Sequence, residues 1–411
     1  MTNEFKIKIK NRRTAAAIRP AIFIAFIIIL LIFILSGCDS KSNQNSDNPN
    51  AENAAENGEN INPENSQDAN QNAKPDSITP TPFTANPLTG LPMDEKYINR
   101  RPVAVMLNNI KKAQPQLGVS KADMIYEIPA EGGVTRLIAL YREIDKAGTL
   151  GSIRSARPYY LEVALGHDAL LVHAGGSEEA YRDIQNWSVD NMDGVRGGSD
   201  EKIFWRDPDR RKSMGYEHSM LTSGENIQEY VDNHFRVFHE SDYHWRQTYS
   251  DTANLAKSDY AIRYGAMPAE KITVPYNGGY KTGVFEYDAK TNRYLANQYG
   301  KPHIDGITGE QIGAENLLIL DTAMEVLDKE GRLKVRMTGT GTGIYCQSGY
   351  AIPIKWQKTD RNSPFVYTHE SGDLLTLLPG QTYICIIDPT SAVIDIQPGL
   401  ANQETDSNTS G

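Results

Sequence analysis

Residues that can do chemistry crowd into three short stretches of the first half of this chain. Glu127, Glu131, Gly132, Gly133, Thr135 and Arg136 form one, Arg154, Ser155 and Arg157 a second, and His173, Gly175, Gly176 and Ser177 a third. Arginine presents a planar fork to a carboxylate or phosphate. Histidine changes charge near neutral pH. A glycine-rich turn into a helix offers N–H donors and a partial positive charge. Arg136, Arg154, Arg157, His173, Gly175, Gly176 and Ser177 are therefore the candidate pocket for an anionic group. A structural reading uses the same residues: the two glutamates pair with the arginines across strand ends, and Gly175-Gly176 is only a tight turn. A catalytic reading sets His173 beside Glu131 or Glu127 as the acid–base pair of a hydrolase or transferase. His218, in the run Gly215-Tyr216-Glu217-His218-Ser219, is a further catalytic candidate.

Such residues need elements to position them. Apolar runs at 102–107, 123–128, 137–141, 151–154 and 169–172 read as strands. Ser155 and Pro158 open a helix, and 178–185 and 223–234 read as two more. This alternation predicts an α/β domain with a mixed sheet over 85–260, its candidate residues at strand ends where such sheets bind ligands. The texture changes near residue 260. Strand-like runs at 271–276, 283–287, 317–321, 333–338, 343–356, 365–369 and 382–387 are separated by turn signals such as Asn277-Gly278-Gly279 and Pro379-Gly380. They predict a mainly β domain over 261–397, a barrel or sandwich.

The N-terminus fixes the compartment. Lys6, Lys8, Lys10, Arg12, Arg13 and Arg19 precede an uninterrupted apolar run at 21–35, which is followed by Ser36, Gly37 and Cys38. The run is shorter than the roughly 20 residues of a spanning helix. Leu35-Ser36-Gly37-Cys38 resembles a bacterial lipoprotein signal, which implies that 1–37 is a signal peptide and Cys38 the lipidation site. The alternative is a permanent N-terminal membrane helix. Two acyl chains anchor stably where one is marginal. Residues 38–84, rich in Asn and without an aromatic before Phe83, read as a disordered tether spanning roughly 35–40 Å. Residues 398–411 read as a disordered tail.

The chain carries a net charge of −10, and removal of the basic leader leaves about −15. Such a body excludes nucleic acid as a partner. It leaves the membrane, through the lipid anchor, and a cell-wall fragment or envelope protein as partners. There is no G-x-S-x-G elbow, P-loop or H-E-x-x-H. Gly339-Thr340-Gly341-Thr342-Gly343 lacks the Lys-Ser/Thr of a phosphate loop and reads as a turn or bulge. No metal site or cofactor is called for. Cys346 and Cys385 fall in apolar strand patterns, as buried thiols or, in an exported protein, a disulfide.

Four runs together resemble the YerB-like lipoprotein family of Gram-positive bacteria. They are Arg101 to Asn109 (Arg-Pro-Val-Ala-Val-Met-Leu-Asn-Asn), Glu131-Gly132-Gly133-Val134-Thr135-Arg136, Gly151-Ser152-Ile153-Arg154-Ser155-Ala156-Arg157-Pro158-Tyr159 and His173-Ala174-Gly175-Gly176-Ser177. The resemblance spans about residues 86 to 395 and continues through Leu378-Pro379-Gly380-Gln381-Thr382. It implies a pair of domains of unknown function, on a lipid-anchored protein at the outer face of the cytoplasmic membrane, with no established reaction.

Overall fold

The computed structural model describes residues 84–399 except 198–201, 241–242, 244–246, 277–278, 280 and 391–392. The signal peptide, Cys38, all of the tether but residue 84, the tail from 400 onward and the turn residues Asn277 and Gly278 lie outside the described residues.

In the first half, β1 (Val103–Asn108), β2 (Met124–Pro129), β3 (Thr135–Tyr141) and β5 (Leu170–His173) follow the apolar runs, whereas β4 (Thr149–Gly151) ends where the strand expected at 151–154 begins. Between and after them come helix α1 (Pro158–Gly166), α2 (Glu178–Asn186), β6 (Asn191–Asp193), β7 (Phe204–Arg206), α3 (Pro208–Met214), β8 (Met220–Ser223) and α4 (Gly224–His234). The second half supplies β9 (Lys271–Tyr276), β10 (Lys281–Asp288), β11 (Arg293–Gln298), β12 (Asn316–Asp321), β13 (Met324–Val326), β14 (Leu333–Val335), β15 (Gly339–Gln347), β16 (Tyr350–Lys358), β17 (Val366–His369) and β18 (Thr382–Ile387).

These strands do not sort by halves. An 11-stranded mixed sheet runs through β16, β15, β12, β18, β2, β3, β1, β5 and β6 in that order. Its centre is the parallel pairing of β18 with β2, with Tyr383 opposite Ile125 and Cys385 opposite Glu127. A strand from the far end of the chain thus sits beside the second strand of the first half. β9, β10 and β11 belong to a separate six-stranded sheet, and β4, β8 and β7 form a small third one. Among the described residues no sheet closes on itself, so of the barrel or sandwich expected of the second half the barrel is not formed.

Burial explains the near-continuous apolar strands. Val103, Val105 and Leu107 face one core with Ile272, Val274 and Phe285 of the six-stranded sheet and Ile227 and Val231 of α4. Ala104 and Met106 face another with Tyr160, Leu161 and Ala164 of α1. A sheet covered on both sides selects apolar residues at every position. The run 343–356 is two strands, folded back at Ser348 and Gly349, both at positive φ. The Gly339–Gly343 run is strand, not turn: a Cβ at Gly341 would lie 2.4 Å from the Trp356 indole. Cys346 and Cys385 are free and buried. They pair with Leu317 and Ile319 from opposite sides of β12, so two strand spacings of about 4.8 Å separate them, beyond the roughly 7 Å reach of a disulfide.

Candidate anion-binding site

β1, β2 and β3 bring two polar groups to the same end of the sheet. β3 is antiparallel to both neighbours, so its first residues meet the last residues of β1 and β2: Arg136 pairs with Asn108 on one side and Ile128 on the other. One group is sealed and the other opens to solvent.

The sealed group centres on Glu127. Its carboxylate is ion-paired with Lys281, and each side chain is 2% exposed. Glu127 Oε1 also accepts from Asn109 Nδ2 at 2.9 Å and from Thr135 Oγ1 at 2.6 Å, and Oε2 accepts from the Tyr383 hydroxyl at 2.7 Å. Gln116 donates to the Asn109 side chain at 2.8 Å, and His303 Nε2 lies 2.9 Å from Gln116 Oε1. Burial pushes the Glu127 carboxyl up. The Lys281 ammonium and the surrounding donors outweigh it and hold the group below its ordinary value. The ring of His303 is pushed down to about 3 by burial. Lys281, Tyr383, Asn109, Gln116 and His303 carry no motif, and sequence reasoning does not single out any of them. The one signal is Asn108-Asn109, a polar pair ending an apolar strand.

The open group is built on three loops. Arg136 opens β3. Arg154 follows β4, held by its backbone N–H donating to Met106 O at 2.9 Å. Arg157 sits at the N-cap of α1. Glu131 lies between two of them: Arg136 Nη2 donates to Oε1 at 2.6 Å, Arg157 Nε donates to Oε2 at 3.1 Å, and Arg157 Nη2 also reaches Oε1. Burial pushes the Glu131 carboxyl up, but Arg136 and Arg157 overcome it and bring it to about 2. Arg154 is held more loosely, by Glu217 at 3.3 Å, whose side chain is 70% exposed. Burial and the neighbouring Arg136 hold the Arg154 guanidinium below its ordinary value. His218 stands in the same neighbourhood. Its Nδ1 accepts from Asn108 Nδ2 at 2.9 Å, and burial together with Arg154 pushes its pKa down.

The third predicted stretch is closed. His173 is fully buried, its Nδ1 donating to Gly175 O at 2.8 Å and its Nε2 3.0 Å from Asn191 Oδ1. Gly175, at φ 77°, bends so that its N–H donates to Asp193 at 2.7 Å and its carbonyl accepts from Ala156. Gly176 bridges Ala156. Ser177 Oγ caps α2 by accepting from Ala180 at 3.1 Å, and Glu178 and Glu179 already occupy that helix's first turn. The structure therefore brings together Arg136, Arg154, Arg157, Glu131 and His218. His173, Gly175, Gly176 and Ser177 instead form a turn with its polar groups satisfied internally. Glu127 belongs to the sealed group.

Residues 88–237 match the N-terminal domain, and 272–384 the C-terminal domain, of a protein family of unknown function, DUF3048. The chain is 32% identical over 309 residues to a Bacillus subtilis protein named as lipoprotein YerB, across 74% of this chain and 87% of that protein. The crystal structure of YerB from Bacillus subtilis superposes with a TM-score of 0.63 at 28% identity, covering 76% of this chain and 99% of that one. Among the described residues no helix is long and apolar enough to cross a membrane.

Proposed function

This chain belongs to the DUF3048 family, and on that premise we propose that it is a lipid-anchored protein at the outer face of the cytoplasmic membrane that binds an anionic envelope ligand without catalysing a reaction. One observation carries the binding reading. Arg136 and Arg157 already hold a carboxylate, that of Glu131, and Arg154 stands beside them tied only to an exposed glutamate. The Glu131 pairings fix the two inner guanidiniums and leave Arg154 as the group that exchanges Glu217 for a ligand anion. Exchange of one exposed partner costs little, because surface ion pairs contribute about 0–1 kcal/mol.

The hydrolase alternative has no such support. His173 is sealed with both ring nitrogens engaged, and Glu131 and Glu127 spend their carboxylates on Arg136, Arg157 and Lys281. A general base has to reach the proton it removes.

Thermal unfolding in the presence of an anionic muropeptide tests the binding. A ligand at one hundred times its Kd stabilises by about 2.7 kcal/mol. The midpoint rises for the wild type and rises by about half as much or less for Arg154→Gln, whose binding is tenfold weaker or more. An equal rise in both proteins would refute the assignment to Arg154. Anchoring is tested separately: the Cys38→Ser variant leaves the membrane fraction and takes up no labelled palmitate.

A further inference from the structure

We propose that the surface formed by α3 and the turn at 111–113 binds a polymer of repeating phosphodiesters. The inference rests on the anionic-ligand reading above and extends it to the neighbouring surface, reached through Glu217, which follows Tyr216 and faces Arg154. Tyr216 is 56% exposed, and its ring is covered by cations: the Arg206 guanidinium lies 3.6 Å and that of Arg211 5.2 Å from its centroid. Arg206 Nη1 also donates to Tyr216 O at 2.7 Å. The turn carrying Lys111 and Lys112 packs on the same helix, where buried Arg210 donates to Ala113 O at 2.9 Å and Pro115 O at 3.1 Å. Lys111, Lys112, Arg211 and Lys212 are exposed. Among the described residues none of these four, nor Arg206, has a carboxylate within ion-pair distance.

The nearby acids are otherwise engaged or few. Asp207 caps α3 by accepting from the Arg210 N–H at 2.7 Å, and Glu217 faces Arg154, which among the described residues of these segments leaves Asp209. Unpaired cations spread over a face of an acidic protein suit a ligand with charges at intervals, not a single small anion. Guanidiniums laid on an aromatic ring are pre-oriented forks, which match phosphate oxygens bidentately. An anionic bilayer is the less favoured occupant. Tyr216 has its ring covered by arginines and cannot serve as an inserted anchor. The chain also enters the folded body at the other end of the sheet, where Asn86 Nδ2 donates to Asp123 just ahead of β2 at 2.8 Å; the cationic turn follows the opposite end of β1, which is parallel to β2.

The test uses the mature protein and purified poly(glycerol phosphate), with polyglutamate and vesicles containing 30% phosphatidylglycerol as comparison probes. Lys112→Glu/Arg211→Glu/Lys212→Glu changes only exposed side chains, and its circular dichroism and unfolding midpoint check the fold. The expected result is salt-sensitive binding to poly(glycerol phosphate), tighter than to polyglutamate and at least tenfold weaker in the triple variant. No binding to the polymer, equal binding by the triple variant, or preference for the vesicles overturns the proposal. If the muropeptide response of the wild type persists while polymer binding is absent, the polymer class alone is wrong. If both are absent, the anionic-ligand reading falls with it.

Discussion

Glu127 and Glu131 are four residues apart, and each meets cations, yet the two sites differ in burial and in their partners. Glu127 lies inside the sheet, 2% exposed, and meets a lysine from the other family segment. Glu131 lies on the turn after the same strand, 26% exposed, and meets arginines from its own segment. Burial decides the difference. A sealed pair cannot lose a partner to solvent, so it fixes the register between β2, β10 and β18. At the rim the Glu131 pairs hold two guanidiniums in place beside Arg154, whose own partner Glu217 is exposed. The same chemistry acts as a rivet in one place and, in the function we propose, as part of a receptor in the other.

The comparison breaks most visibly at the rivet. Lys281→Met leaves Glu127 buried and unpaired, and urea unfolding should show a loss of about 3–5 kcal/mol. Replacing both residues, as Glu127→Leu/Lys281→Met, should recover most of that loss, because an apolar pair of similar volume needs no charge partner. A double variant no better than the single one would mean that the network does more than neutralise a charge.

At the rim, Arg154→Gln should weaken ligand binding tenfold or more, about 1.4 kcal/mol, with an unfolding midpoint close to the wild type. Glu131→Gln sharpens the comparison through pH. The folded Glu131 carboxyl titrates at about 2, below its unfolded value of roughly 4.3. Its contribution to stability is therefore fully present above the unfolded value and lost as pH falls through 4 toward 2. Stability curves of wild type and Glu131→Gln should be separated by about 1–3 kcal/mol at pH 7 and converge in acid. Parallel curves would show that the carboxylate charge is immaterial. The smallest effect is expected at the cysteines: a reductant should leave the unfolding midpoint unchanged, and thiol titration of the unfolded mature protein should find both Cys346 and Cys385 free.

Sequence reading locates most strands because a sheet buried on both faces writes itself as apolar runs. It also marks the arginines and Glu131, whose types and positions at strand ends announce ion pairing. It fails where geometry is non-local. Tyr383 and Glu127 are 256 positions apart, and no local pattern says that β18 lies beside β2. Lys281 falls between the runs at 271–276 and 283–287 and looks like an ordinary solvent-facing residue, yet it is buried. The hairpin at Ser348-Gly349 is hidden because Ser-Gly is a weaker turn signal than Asn-Gly, and its flanking strands merge into one run. The strand β11, Arg-Tyr-Leu-Ala-Asn-Gln, alternates with too few apolar residues to stand out. His173 resembles a catalytic residue only until burial and its two partners are known.

The most direct test of the account is a calorimetric titration of an anionic muropeptide into wild-type protein and Arg154→Gln at low and at 0.5 M salt. Binding by the wild type that falls with salt, and at least tenfold weaker binding by the variant at low salt, is the result predicted by a rim that exchanges Glu217 for a ligand. Identical isotherms for the two proteins would contradict it, and would place the arginines, like Lys281, among the groups that only hold the fold.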